Sequence, residues 1–362
     1  MDPAWLRDAC RCPRCVDPYS GQKTFDTGDI PAGLRCRRAQ GAGGAGTVTL
    51  EWENDVPGFG EDHRTELPIV ELRTALRENG DPRGGIPRRA DRPAHWDKDE
   101  LLKSDLWHSY EGYMSDDGAL LKLLAQLQRY GIVFLKDVPP SADAVSDIAT
   151  RIGPLKETFY GRTWDVKSIP KAENVAYTSQ YLGFHMDLLY FIQPPFLQLL
   201  HTLKAEATGG ASIFADSFRA VNSIRRSKHA LWLALNTVPV KHHYDHENHK
   251  YEHSRPTVEL DGRARDIAYV NYSPPFQAPF VRAKPGWNLA SYHAAIAEFK
   301  RIIELEHNRF EYRMQEGDCV IFNNRRVLHG RAAFKEDGER WLRGAYVDED
   351  DFISKRKVLM AK

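Results

Sequence analysis

Gly317–Val347 reads GDCVIFNNRRVLHGRAAFKEDGERWLRGAYV. A Gly-Asp turn leads into the apolar run Cys319–Phe322, which has the composition of a buried strand. His329 follows it. Eleven residues later comes Arg340, at the head of the strand-like segment Leu342–Val347. A strand, a loop and an antiparallel return would bring Arg340 back beside His329. Arginine offers a planar, permanently charged fork suited to a carboxylate. The distal carboxylate of 2-oxoglutarate is such a group.

Upstream, Gly183–Asp187 reads GFHMD. Residues two apart in a strand point to the same side, so His185 and Asp187 can offer an imidazole and a carboxylate to one centre. With His329 they would complete a two-His, one-carboxylate facial triad, the donor set of non-haem Fe(II) oxygenases. A lone His-x-Asp fits a hydrogen-bonded core histidine and an exposed acid equally well. His-x-Asp, a long gap, then His, ten residues and Arg is far more specific.

The surrounding pattern is short strands with a few helices. Ala119–Tyr130 has apolar residues at helical spacing and stops at Gly131, before the strand-like Ile132–Leu135. Ser141–Ile152 reads as a second helix with Ser141 as N-cap and Gly153 as its stop. Phe196–Leu203, Ser212–Phe214, Thr257–Leu260 and Ile267–Tyr272 read as strands, and Tyr292–Leu305 as an amphipathic helix. This order implies a mainly β fold with flanking helices: a double-stranded β-helix, or jelly roll. The catalytic domain is expected over 100–362, a Pro-, Gly- and charge-rich linker over 76–99, and a small N-terminal domain over 1–75 with a strand at Thr47–Trp52.

Composition narrows the function classes. The chain has 362 residues, 50 basic and 50 acidic, so no net field favours nucleic acid or a membrane surface. No apolar run reaches membrane-spanning length. Three of five cysteines, Cys10, Cys12 and Cys15, cluster at the start, unlike a disulfide framework. An intracellular setting is expected, cytoplasmic or mitochondrial matrix. Three thiolates this close need one more ligand for tetrahedral zinc. Cys36 and Cys319 are expected to be ordinary buried thiols.

Several segments together resemble the γ-butyrobetaine and trimethyllysine dioxygenase branch of the taurine dioxygenase-like superfamily. They are Trp5–Cys15 (WLRDACRCPRC), Thr158–Trp164 (TFYGRTW), Asn174–Tyr177 (NVAY), His185–Asp187, Pro194–His201 (PPFLQLLH), Thr208–Ser212 (TGGAS), Asp318–Arg331 and Arg340–Tyr346 (RWLRGAY). The resemblance spans nearly the whole chain. It implies iron on His185, Asp187 and His329, and 2-oxoglutarate held by Arg340 with a hydroxyl contact from Ser212. It implies His63 as fourth ligand of a structural zinc on Cys10, Cys12 and Cys15. It further implies ascorbate as a reductant, dioxygen and a small molecule as partners, and a homodimer. Tyr160, Trp164, Tyr177 and Tyr346, with Asn174, would bind substrate. A quaternary ammonium donates no hydrogen bond, so ring faces are its natural partners. The implied reaction is hydroxylation of γ-butyrobetaine in carnitine synthesis. Trimethyllysine and a specialised metabolite, hydroxylated or desaturated, are the alternatives. From another class, a catalytically silent binding protein of the same fold would have no need of the triad or Arg340.

Two features depart from the branch. Leu188-Leu189-Tyr190-Phe191 is bulkier than expected after Asp187, and Glu173 stands where an uncharged amide is expected; a carboxylate there suits a free amine. The His-rich tract Lys241–His253 fits no single rigid metal geometry and reads as a mobile polar loop, placed over the site entrance. Gly209-Gly210 reads as a turn, since no phosphate-loop context surrounds it.

Overall fold

The computed structural model describes residues 1–41, 46–73, 93–167, 179–261, 266–280 and 288–362. It divides into two compact units, residues 1–86 and 87–362.

The first unit is built on an antiparallel three-stranded sheet, Arg35–Gly41, Thr47–Glu53 and Arg64–Pro68. Its core is small: Leu34, Leu50, Trp52 and Leu67, with the Trp52 indole N–H donating to Thr65 Oγ1 at 2.9 Å. Every residue of the first strand faces solvent. Cys36 is therefore exposed rather than buried, a correction to the sequence reading; Cys319 is fully buried as expected.

The second unit holds two facing sheets. The larger has six strands, in the order Trp107–Ser109, Ile132–Lys136, Cys319–Asn323, Leu197–Ala205, Arg340–Val347 and Thr163–Lys167. The smaller has four: Phe310–Tyr312, Ser212–Asp216, Val327–Arg331 and Leu182–His185. Phe134, Phe214, Phe322, Val320 and Val327 fill the space between them. The outer face of the larger sheet is covered by helices Asp117–Tyr130, Ala144–Ile152 and Glu349–Met360. The outer face of the smaller one is covered by Ser217–Ser227, His229–Thr237 and Leu289–Ile303. The jelly-roll core is as read, but the fold is mixed helix and sheet rather than mainly β.

Local chemistry accounts for the boundaries. Asp116 caps the helix Asp117–Tyr130 through the Gly118 and Ala119 amides, and Gly131 ends it at φ 79, in the left-handed region glycine tolerates. The next helix starts three residues later than read, at Ala144, because the Ser141 hydroxyl instead accepts from the Asp143 amide in the preceding turn. The last part of the expected linker is packed: Trp96 is fully buried, its backbone N–H donating to Asp216 and its indole N–H to the Tyr130 carbonyl. Residues 76–92, the rest of that linker, lie outside the described residues, as do 74 and 75.

Two candidate metal centres and an aromatic-walled cavity

His185 is the last residue of its strand and pairs directly with His329 on the neighbouring one. Asp187 is not in that strand. The chain turns there, with Leu188 at φ 58, and the Asn324 side chain fixes the turn. It accepts from the Asp187 amide at 2.8 Å and donates to the Asp187 carbonyl at 3.0 Å and the Pro195 carbonyl at 3.2 Å. The triad thus forms by a pinned turn, not by strand alternation as the spacing alone suggested.

One carboxylate oxygen, Asp187 Oδ1, faces His185 Nε2 at 3.4 Å and His329 Nε2 at 3.8 Å. The three donor atoms lie within 4.8 Å of one another. His185 Nδ1 sits 2.9 Å from the Gly183 carbonyl. A carbonyl can only accept, so Nδ1 is the nitrogen that donates there, and Nε2 is the one that faces Asp187. Burial, with His185 adding to it, pushes His329 down to about 3, so its imidazole is neutral at physiological pH. Burial opposes charge on Asp187, yet the His185 contact, the His329 ring and the Tyr346 hydroxyl hold its carboxyl well below the usual carboxylate range. Two imidazoles and one carboxylate on one side of a buried point fit Fe(II).

The triad lies at the floor of a cavity of about 330 Å³ between the two sheets. Arg340 and Ser212 line the same cavity, Arg340 from the larger sheet and Ser212 from the smaller. The expected antiparallel pairing between the His329 and Arg340 strands does not occur. The chain crosses from one sheet to the other at Ala332–Glu339, so the two residues meet across the cavity. Gly209 and Gly210, at φ 95 and 68, make the turn beside Arg340; a Cβ on Gly210 would stand 3.2 Å from the arginine Nε. Burial, with the neighbouring Arg331, pulls Arg340 down to about 9. An arginine so placed gains from an anion.

The sequence reading overlooked Arg331. It stands two residues beyond His329 on the same strand, is buried, lines the cavity and donates to the Gln180 carbonyl at 2.7 Å. Both guanidinium groups lie over the Phe334 ring, at 4.7 Å for Arg331 and 5.5 Å for Arg340. The period-two position was the signal that could have found it.

The opposite wall is aromatic. Tyr160, Trp164 and Tyr346 line it, joined by Tyr190, Tyr244 and Phe276. Trp164 and Tyr346 stack on each other at 4.0 Å between centroids. Gly344 permits this, since a Cβ there would stand 2.4 Å from the Trp164 ring. Asn174, Tyr177 and Glu173 lie outside the described residues. Tyr244 comes from the His-rich tract, which is a β-hairpin, Pro239–His246 with His249–Pro256, rather than a mobile loop. Its register pairs His242 with His253 and Tyr244 with Tyr251. It does reach the cavity, through His243, Tyr244, Asp245 and His246.

In the first unit, His63 Nε2 lies 3.7, 3.6 and 3.3 Å from the Sγ atoms of Cys10, Cys12 and Cys15. His63 Nδ1 is held by Asp55 Oδ2 at 2.7 Å, and Asp55 also pairs with the buried Arg7. The Arg7 guanidinium lies over Phe25 and Phe59, 4.6 Å from each ring. Its Nη1 donates to Cys15 Sγ at 3.3 Å. Four donors and an oriented histidine suit a closed tetrahedral site. Among the described residues these two clusters are the groupings of potential metal donors, and none arises from the His-rich hairpin.

A family model described as "Taurine catabolism dioxygenase TauD, TfdA family" matches residues 108–346, and one described as "Gamma-butyrobetaine hydroxylase-like, N-terminal" matches residues 1–66. Dioxygenase str8 of Strobilurus tenacellus is 34% identical, over 98% of this chain and 84% of its own. The γ-butyrobetaine dioxygenase of Homo sapiens is 31% identical, over 98% of this chain and 90% of its own. Among solved structures, an asparagine oxygenase crystallised with Fe(II), 3-hydroxyasparagine and succinate superposes with a TM-score of 0.51 at 19% identity, over 78% of this chain and 92% of that one. That likeness concerns the fold. Among the described residues no helix is long and apolar enough to cross a membrane.

Proposed function

The chain belongs to the TauD/TfdA family and is an Fe(II)- and 2-oxoglutarate-dependent dioxygenase, and from that premise we propose that it hydroxylates a small amine seated against the aromatic wall, with a quaternary ammonium such as γ-butyrobetaine as first candidate and trimethyllysine as second. One observation carries the reading. Both histidine Nε2 atoms converge on a single Asp187 oxygen, at the floor of a cavity with arginine at one end and aromatic rings at the other.

His185, Asp187 and His329 would hold the iron and leave one side of it open. Arg340 would take the far carboxylate of 2-oxoglutarate as a charge-assisted pair, Ser212 would donate a hydroxyl to it, and Arg331 would add a second positive charge nearby. Bound Fe(II), with 2-oxoglutarate and dioxygen, supplies the oxidant that converts a substrate C–H to C–OH as the 2-oxo acid becomes succinate and carbon dioxide. Tyr160, Trp164, Tyr190, Tyr244 and Phe276 would orient the substrate carbon over the triad and keep water out. In the first unit, Cys10, Cys12, Cys15 and His63 would hold zinc as a structural staple, since that unit's core is small.

A second reading, a specialised metabolite without a carboxylate, is favoured by two observations. Trp164 and Tyr346 already cover each other's faces. Arg331 and Arg340 are the Lys and Arg residues among the described cavity lining, and both stand at the co-substrate end. A turnover screen of γ-butyrobetaine, trimethyllysine and neutral aryl or alkyl amines, read by succinate release and a mass gain of one oxygen, tests both. Succinate coupled to oxygenation of either trimethylammonium compound supports the first reading. Inert trimethylammonium compounds beside an oxidised neutral amine support the second. Absence of 2-oxoglutarate turnover with all of them, despite bound iron, overturns the hydroxylase reading.

A further inference from the structure

We infer that Tyr346 is a positioning residue for the metal-facing carboxylate, and not only a ring of the substrate wall. The inference rests on the iron site proposed above. Asp187 has two oxygens with different surroundings. Oδ1 faces both imidazole Nε2 atoms, at 3.4 and 3.8 Å. Oδ2 accepts a hydrogen bond from the Tyr346 hydroxyl at 2.7 Å. The hydroxyl therefore occupies the oxygen that would otherwise be free to chelate, and holds the carboxylate as a single-oxygen ligand. A monodentate carboxylate leaves one more open position on the metal than a bidentate one. The co-substrate and dioxygen need that space.

The tyrosine is itself held. It is 1% exposed, on a strand interior. Trp164 stacks flat on its ring at 4.0 Å with an interplanar angle of 25°. That stack exists because Gly344, two residues earlier on the same side of the strand, has no side chain in the way. Asn324 fixes the backbone of Asp187 from the other side. A carboxylate gripped at its backbone and at one oxygen has one orientation left for the other oxygen. Hydrogen bonds to ligating groups typically contribute about 10–100-fold in metal affinity.

The test is Tyr346→Phe, which keeps the ring and removes the hydroxyl. Anaerobic calorimetric titration with Fe(II), and with Co(II) as a spectroscopic substitute, reads the metal affinity directly and without turnover. We expect it to fall about 10–100-fold, with the Co(II) absorption spectrum altered in shape. Tyr160→Phe, a hydroxyl deletion in the same wall, should leave both unchanged. Wild-type Fe(II) affinity in Tyr346→Phe, with weakened binding of γ-butyrobetaine or another amine alone, would return Tyr346 to a purely substrate-facing role. Wild-type behaviour in both respects would also overturn the inference. Loss of metal binding on His185→Ala tests the iron reading separately: metal still bound there sinks the proposed site itself. Should Tyr346→Phe fail to fold, 3-fluorotyrosine at position 346 serves instead. Its ¹⁹F resonance should shift in proportion to metal added, and a resonance indifferent to metal would refute the coupling.

Discussion

Two clusters of metal-donor side chains, one in each unit, are built on opposite plans. In the first unit four donors converge on one point, with His63 oriented by Asp55 and Arg7 sandwiched between two phenylalanine rings. Nothing is left open. In the second unit three donors line one side of a point whose other side is a cavity of about 330 Å³. The closed set has a small hydrophobic core around it, the open set a large one. The difference bears on what a metal would do in each unit. A unit with four main core residues would lean on a metal bound there, whereas the larger core of the two-sheet scaffold would leave its metal to chemistry.

The largest expected effect follows from that contrast. Cys15→Ser, or removal of zinc with a chelator, should melt the first unit, since structural zinc contributes on the order of 10 kcal/mol to such folds. Asp187→Ala should abolish iron binding while the metal-free protein keeps its melting temperature to within a few degrees. Thermal unfolding followed by circular dichroism, with metal content measured in parallel, checks both arms. Equal sensitivity of the two units to their metals would break the comparison. A smaller effect sharpens the open site. Arg340→Ala should weaken 2-oxoglutarate about 10–100-fold, the value of one charge-assisted pair, with iron still bound. Unchanged co-substrate affinity in a titration would move that role to another group, Arg331 first. The smallest effect concerns the scaffold. His201 is fully buried, and burial pushes it down to about 4. Its folded value lies below the unfolded one, near 6.5, so the unfolded chain binds the proton first as pH falls. Stability present above pH 6.5 is therefore lost progressively toward pH 4, with a slope of at most ~1.4 kcal/mol for each step of one in pH. His201→Gln should flatten melting temperature against pH in that window; an unchanged slope would assign the acid sensitivity elsewhere.

The chemistry was more legible than the scaffold around it. Histidine, carboxylate, second histidine and arginine could be found by spacing, because each must reach one point from a strand or its end. Helix Asp117–Tyr130 was legible because its apolar stripe and its stop residue agree. Helices Ser217–Ser227 and His229–Thr237 escaped notice because they abut at Lys228, and the first carries Ser, Asn and Arg between its buried positions. The hairpin escaped for a different reason. Val240, His242 and Tyr244 are buried in alternation with Lys241, His243 and Asp245, a strand pattern visible only if histidine counts as a core residue. Burial keeps His242 down at about 4, and as a neutral ring it packs as one. Asp187 illustrates the limit of periodicity. The spacing pointed to a residue that the structure does bring beside both histidines, but through a turn rather than strand alternation, because nothing in GFHMD announces a turn held by Asn324, 137 positions away.

That turn also divides the cavity's labour within a single peptide unit. Asp187 is anchored by Asn324 and Tyr346, while Leu188, at φ 58, begins the segment that reaches the aromatic wall through Tyr190. Within this segment, His185 and Asp187 stand before the bond and face the proposed metal, while Leu188 and Tyr190 stand after it and, with the hairpin, line the space for whatever is oxidised. A lineage could redraw the wall to admit a new molecule and leave the reactive centre untouched. Tyr346 is the exception, since it belongs to the wall and also grips the carboxylate.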